Sequence, residues 1–226
     1  MALTAPPVTV PLPRAPSGHP RAEDDPASWT AAWYERELGW SVVGGPPVQL
    51  ATGVRFDVLE LPADAGTAVL RSRVATGPVA VMGRKMRFLV AAGSADELEG
   101  LLVWLEWGGV ALDLAALGTG GRITAPVPPG PPVAGTADDA DPQGSPRGAA
   151  VWLRPPEQGC EALLPALPAP GQGSCGSARG PDLVRLVAAA ATECHRARLR
   201  RRTAPAGRAG VVDRPAAGQT LRSSNA

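Results

Sequence analysis

The chain has 226 residues, 44% of them hydrophobic, and a formal net charge of +1, which suits one domain with tails and excludes a protein that is strongly basic or acidic throughout. No apolar run reaches the ~18 to 20 residues of a membrane helix, and Pro6, Pro7, Pro11, Pro13 and Pro16 interrupt the stretch a signal peptide would need, so a cytoplasmic protein without membrane contact is expected. Cys160, Cys175 and Cys194, with only His19 and His195 beside them, assemble no zinc pattern and read as free thiols.

Residues 1–24 are Pro-rich and aperiodic, which predicts a disordered leader. Asp25 followed by Pro26 opens a first helix that Gly39 is placed to end. Trp40 to Val43 and Val54 to Glu60 follow as strands, the second alternating Val54, Phe56 and Val58 with Arg55, Asp57 and Leu59. A helix from Ala63 to Val74 comes next. Val79 to Met82 and Met86 to Val90 then read as a hairpin closed by Gly83-Arg84-Lys85. Ser94 and Glu97 form a capping box ahead of Leu98, Leu101, Leu102 and Leu105, with Gly108-Gly109 at the far end. Ala111 to Leu114 and Arg122 to Ala125 suggest a strand pair around the Gly118 to Gly121 turn.

The segment 126–148 is rich in Pro and Asp and reads as a mobile loop, after which Val151 to Leu153 returns as a short strand. Residues 156–180 look like an irregular linker in which Cys160 to Leu164 makes a helical turn. An amphipathic helix spans 181–202, and 203–226 reads as a disordered tail. The expected organisation is therefore an α+β domain over 25–155, a mostly antiparallel sheet with flanking helices, followed by the linker and a separate basic helix.

Charge is unevenly spread. From Arg179 onward ten arginines face three acids, a net +7 against −6 for the rest of the chain. Within that segment Arg196, Arg198, Arg200, Arg201 and Arg202 exceed what a helix C-terminus needs for its dipole, and they are the candidate nucleic-acid-binding residues. The turn at Gly118 to Gly121 lacks the Lys-Ser/Thr ending of a phosphate loop and precedes a strand pattern, so a tight hairpin is expected there. Cys194 and His195 are adjacent on a helix and do not face each other, which argues against a thiol-base pair. The six tryptophans read mainly as core.

Four stretches, in this order, carry a resemblance: residues 33–42, whose helix ends in Gly39-Trp40, then Phe56-Asp57-Val58, Gly83-Arg84-Lys85-Met86-Arg87-Phe88, and Leu112-Asp113-Leu114 followed by Gly120-Gly121 and a strand ending in Pro126. Together they resemble the N-terminal domain of bifunctional DNA primase/polymerases, the prim-pol branch of the archaeo-eukaryotic primase superfamily, over residues 28 to 155. In that family an Asp-x-Asp pair stands on a strand followed by a Gly-containing helix. The resemblance places Asp57 at the first acid and Leu59 at the second. A Gly-Arg-His-x-x-Phe hairpin contacts nucleotide phosphates through its histidine, and here Arg84 and Lys85 take that role with lysine in the histidine's place. Asp113 matches a further acid ahead of a Gly-rich turn.

The resemblance thus implies Asp57 and Asp113 as residual catalytic and metal-site acids for Mg²⁺ or Mn²⁺, and nucleic acid, DNA in preference to RNA, as partner. Nucleotidyl transfer clamps the attacking and leaving oxygens between two metal ions about 3.5 to 4 Å apart, which two acids hold poorly. The expected function is a catalytically weakened or inactive primase/polymerase-like domain that keeps nucleotide or nucleic-acid binding in an accessory role. An active nucleotidyltransferase and a protein-interaction module are the alternatives.

Overall fold

The computed structural model describes residues 26–129, 149–167 and 181–203. The expected leader 1–24, most of the 126–148 loop, residues 168–180 of the linker and the tail beyond Thr203 lie outside them. The element order is α1 (Pro26–Trp33), one π-helical turn (Tyr34–Leu38), β1 (Val42–Val43), β2 (Gln49–Ala51), β3 (Phe56–Pro62), α2 (Ala63–Arg71), β4 (Val79–Met82), β5 (Lys85–Ala91), α3 (Ser94–Trp104), β6 (Ala115–Leu117), β7 (Arg122–Thr124), β8 (Val151–Arg154), a 3-10 turn (Cys160–Leu163) and α4 (Leu183–Thr203).

Helices combine with two antiparallel sheets, an α+β fold as the sequence patterns predict. A three-stranded sheet runs β1-β2-β7 and a five-stranded sheet β6-β3-β5-β4-β8. The β4–β5 hairpin forms as expected, with Met82 opposite Lys85 across a turn at Gly83-Arg84. The first helix ends at Gly39, whose left-handed φ of 65° lets its N–H reach the Tyr34 carbonyl.

Three sequence expectations change. Ser94 and Glu97 make no capping box: Gly93 precedes the helix, no side chain of the box caps it, and the Ala95 N–H instead donates to Asp57 Oδ2 at 2.8 Å. The cap comes from a strand 38 residues upstream, where a buried carboxylate needs a donor. The strand expected at Ala111 to Leu114 is absent: that stretch is irregular and the strand, β6, begins at Ala115, while β6 and β7 flank the Gly118–Gly121 turn without pairing with each other. Thr52 grips that turn, its hydroxyl donating to the Gly118 carbonyl at 2.6 Å and its N–H to the Gly121 carbonyl at 3.0 Å, so β6 joins β3 while β7 joins β2 in the other sheet.

The third change concerns α4, expected as a separate basic helix. Seven of its residues, from Leu183 to Ala197, are buried. Six of them, all but Ala191, share one apolar cluster with Leu59, Leu61, Val69, Phe88 and Val90, and α4 lies against both α2 and α3. The Leu183, Leu186, Val187, Ala190 spacing supplies a stripe wide enough to cover the sheet face, and burying it fixes the helix to the body. The linker likewise packs, with Leu164 buried in the second cluster beside Tyr34, Trp40, Leu50, Phe56 and Val58. In that cluster the Tyr34 hydroxyl donates to the Pro126 carbonyl and accepts from Trp152 Nε1, which satisfies a phenol whose pKa burial raises. No described helix is long and apolar enough to cross a membrane.

Candidate phosphate-binding cleft

β3 is the central reference because it is paired on both sides, by β5 and β6, and side chains on a strand alternate between faces. Asp57, Leu59 and Leu61 point to the helix-covered face, where Leu59 and Leu61 belong to the main core. Phe56 and Val58 point the other way into the second cluster. Glu60 and Pro62 continue that second face past the cluster's edge, and there they line an open cleft of ≈ 410 Å³.

Four further segments complete the cleft: the β4–β5 turn with Arg84 and Lys85, the loop ahead of β6 with Asp113, β6 itself with Ala115, and the last turns of α4 with Arg201. Local folding explains each. Gly83, at φ 56°, lets the hairpin turn tightly enough to project Arg84 and Lys85 at its tip. Gly66 lets α2 lie close on β5, since a Cβ there would stand 2.4 Å from Met86 Sδ. Packing of α4 on α2 then carries Arg201 to the same opening.

The charges are interleaved. Glu60 accepts from Lys85 Nζ at 2.7 Å and from Arg87 Nε at 2.9 Å. Burial pushes the Glu60 carboxyl up, but the hydrogen bonds and charges of Lys85 and Arg87 outweigh it and hold the group below its ordinary range. Arg201 donates to Asp113 Oδ2 at 2.7 Å and reaches Asp64 Oδ1 at 3.8 Å. Arg84 makes no side-chain hydrogen bond or ion pair with the described residues, and Lys85 keeps two of its three N–H donors after pairing with Glu60.

Of the residues singled out from sequence, the structure brings Arg84, Lys85, Asp113 and Arg201 to this one cleft. It does not bring Asp57 there. Asp57 is 1% exposed on the opposite face, one carboxylate oxygen on the Ala95 N–H and the other without a hydrogen bond to the described residues. Asp57 and Asp113 also sit at opposite ends of β6: Gly118, just after the strand, lies against Asp57, while Asp113 precedes Ala115 and is 59% exposed. The joint metal site expected of the two acids is therefore not assembled, because strand alternation turns Asp57 inward while Asp113 stands on the exposed loop ahead of β6, at the cleft. Leu59 faces the core as well, so position 59 is not a place where a ligand would meet solvent.

The basic helix end divides. Arg196 pairs with Glu193 at 2.6 Å, Arg198 donates to the Ala111 carbonyl, and Arg201 enters the cleft. Arg200 and Arg202 make no ion pair with the described residues. Cys194 is buried with its thiol pushed up to about 12, by burial first and then by Asp113 and Asp64, so it is not a nucleophile at neutral pH. Trp40 is core, while Trp104 is 70% exposed and stands apart from the cleft lining.

Glu60 is the cleft residue that sequence reading leaves aside. Two signals point to it: it is the last acid before the helix start at Ala63, and the β3–β5 register sets Arg87 directly across from it. Searches against protein-family models, curated proteins and solved structures find no match for this chain.

Proposed function

We propose that this protein is a primase-polymerase-like domain that binds the phosphates of a nucleotide or a nucleic acid in the cleft, in an accessory role and with little or no nucleotidyl transfer. The observation that carries the reading is the convergence of Arg84, Lys85 and Arg201, from a hairpin and a helix far apart in sequence, on one opening of ≈ 410 Å³. Cations held on rigid elements around a concave site suit a phosphate, which accepts several charge-assisted hydrogen bonds at once.

The resembled family's acid pair stands on a strand ahead of a Gly-containing helix. Glu60 and Pro62 occupy that position more closely than Asp57 and Leu59 do, since α2 with Gly66 begins at the next residue. In this register one acid remains and a proline replaces the other, with Lys85 still beside the retained acid. Weakened catalysis follows from either register, because two metal ions need more carboxylates than the cleft offers.

The test is a binding titration of deoxynucleoside triphosphates and of single-stranded DNA, with a primer-synthesis assay on the same preparation. Wild type binds and makes no product, and an Arg84→Ala, Lys85→Ala variant loses at least about tenfold in affinity, as expected for charge-assisted bonds. Robust synthesis abolished by Glu60→Ala would establish an active enzyme instead. Absence of binding to either ligand would remove the proposal.

A further inference from the structure

Resting on that reading, we infer that the cleft takes polyphosphate without a divalent cation: its own basic side chains occupy the place that metal ions fill in a two-metal site. Each carboxylate lining the cleft is already matched by a basic side chain. Lys85 and Arg87 hold Glu60 at 2.7 and 2.9 Å, and Arg201 holds Asp113 at 2.7 Å. A metal entering here would have to displace a cation from each acid in turn and then sit beside Arg84, Lys85 and Arg201, whose charges repel it. Asp57 gives no help, since it is buried on the other face and engaged with the α3 backbone.

An anion meets the reverse situation. Arg84 has no partner to give up among the described residues, and Lys85 can hold Glu60 and a phosphate oxygen together. Arg201, 39% exposed, can turn part of its planar fork from Asp113 toward a second phosphate. Asp113 is then the competitor of the ligand for Arg201. That fixes the sign of its substitution: in a metal site, loss of the acid weakens binding, whereas here Asp113→Asn leaves Arg201 only its longer pair with Asp64 at 3.8 Å and strengthens binding.

The experiment is calorimetric titration of the full chain with inorganic tripolyphosphate and, separately, a deoxynucleoside triphosphate, each in chelator and in excess Mg²⁺. Binding is expected in chelator, several-fold weaker with Mg²⁺ because the cation neutralises the phosphates, several-fold tighter in Asp113→Asn, and at least about tenfold weaker in Lys85→Ala. Asp113 is a half-exposed loop residue, so its substitution leaves the core untouched. Binding that appears only with Mg²⁺ or Mn²⁺ and is lost in Asp113→Asn would overturn this inference and leave the proposed function standing. Binding in neither buffer would overturn this inference, and would overturn the proposed function as well if single-stranded DNA also failed to bind.

Discussion

The two faces of β3 put similar residues to opposite uses. Asp57 and Glu60 are three positions apart on one strand, yet Asp57 is sealed beneath α3 and bonded to a backbone N–H, while the Glu60 side chain, 15% exposed, meets two side-chain cations at the mouth of a cleft. The difference lies in what covers each face. Under the helices the available partner is a helix N-terminus with its partial positive charge, so a carboxylate there holds two elements together. Beyond the edge of the second apolar cluster the partners are the largely buried Arg87 and Lys85, of which Lys85, 56% exposed, remains close enough to solvent to engage a ligand.

The largest effect is expected of Leu59→Asp, which would complete an Asp-x-Asp pair with Asp57. Position 59 is 1% exposed inside the main core, and an unpaired buried charge costs roughly 3–5 kcal/mol, so urea denaturation should show severe destabilisation and no gain of Mg²⁺ affinity. A stable variant that binds the metal would place that face at the functional site. Asp57→Ala comes next. Losing the cap should cost about 1–2 kcal/mol in the same measurement, with tripolyphosphate affinity unchanged, because Asp57 does not reach the cleft.

Glu60 gives a smaller, pH-dependent effect. Its carboxyl is held below the ordinary value, so its ion pairs stabilise the fold above about pH 4.3 and that contribution disappears as pH falls through the lowered folded value. Urea midpoints measured across the acid range should therefore decline less steeply in Glu60→Gln than in wild type, with the two curves differing most at neutral pH. An unchanged acid limb would mean that Lys85 and Arg87 do not hold the carboxylate in solution.

The smallest stability effect belongs to the far end of α4. Arg200→Ala, Arg202→Ala should leave stability within about 0.5 kcal/mol, since neither arginine has an ion pair to lose among the described residues. If nucleic acid extends from the cleft along this helix, the log-log salt slope of DNA binding should fall by about 0.9 for each phosphate contact removed from duplex. Point substitutions are required here. Truncation after Glu193 would also delete Cys194 and Ala197, both buried, and so confuse binding with folding.

Strands and helices were legible wherever a local pattern encoded them. The hairpin over Val79 to Ala91 and the helix from Ser94 follow from alternation and leucine spacing, and Gly39 ends its helix where a left-handed residue is needed. The register of β3 was less legible: Phe56–Pro62 lies two residues later than the alternation suggested, because pairing with β5 and β6, not the side-chain pattern, sets its ends. Arg84, Lys85, Asp113 and Arg201 were each identified from sequence, but nothing local joined them.

The α+β class and the order of most elements are written in local patterns, since hydrophobic period and turn chemistry act over a few residues. Tertiary structure alone decided that α4 belongs to the core, that Asp57 caps α3, that β6 and β7 part into different sheets, and that Glu60 opens on the cleft. Each of these depends on which face of an element another element covers, and that is set by packing between segments distant in the chain.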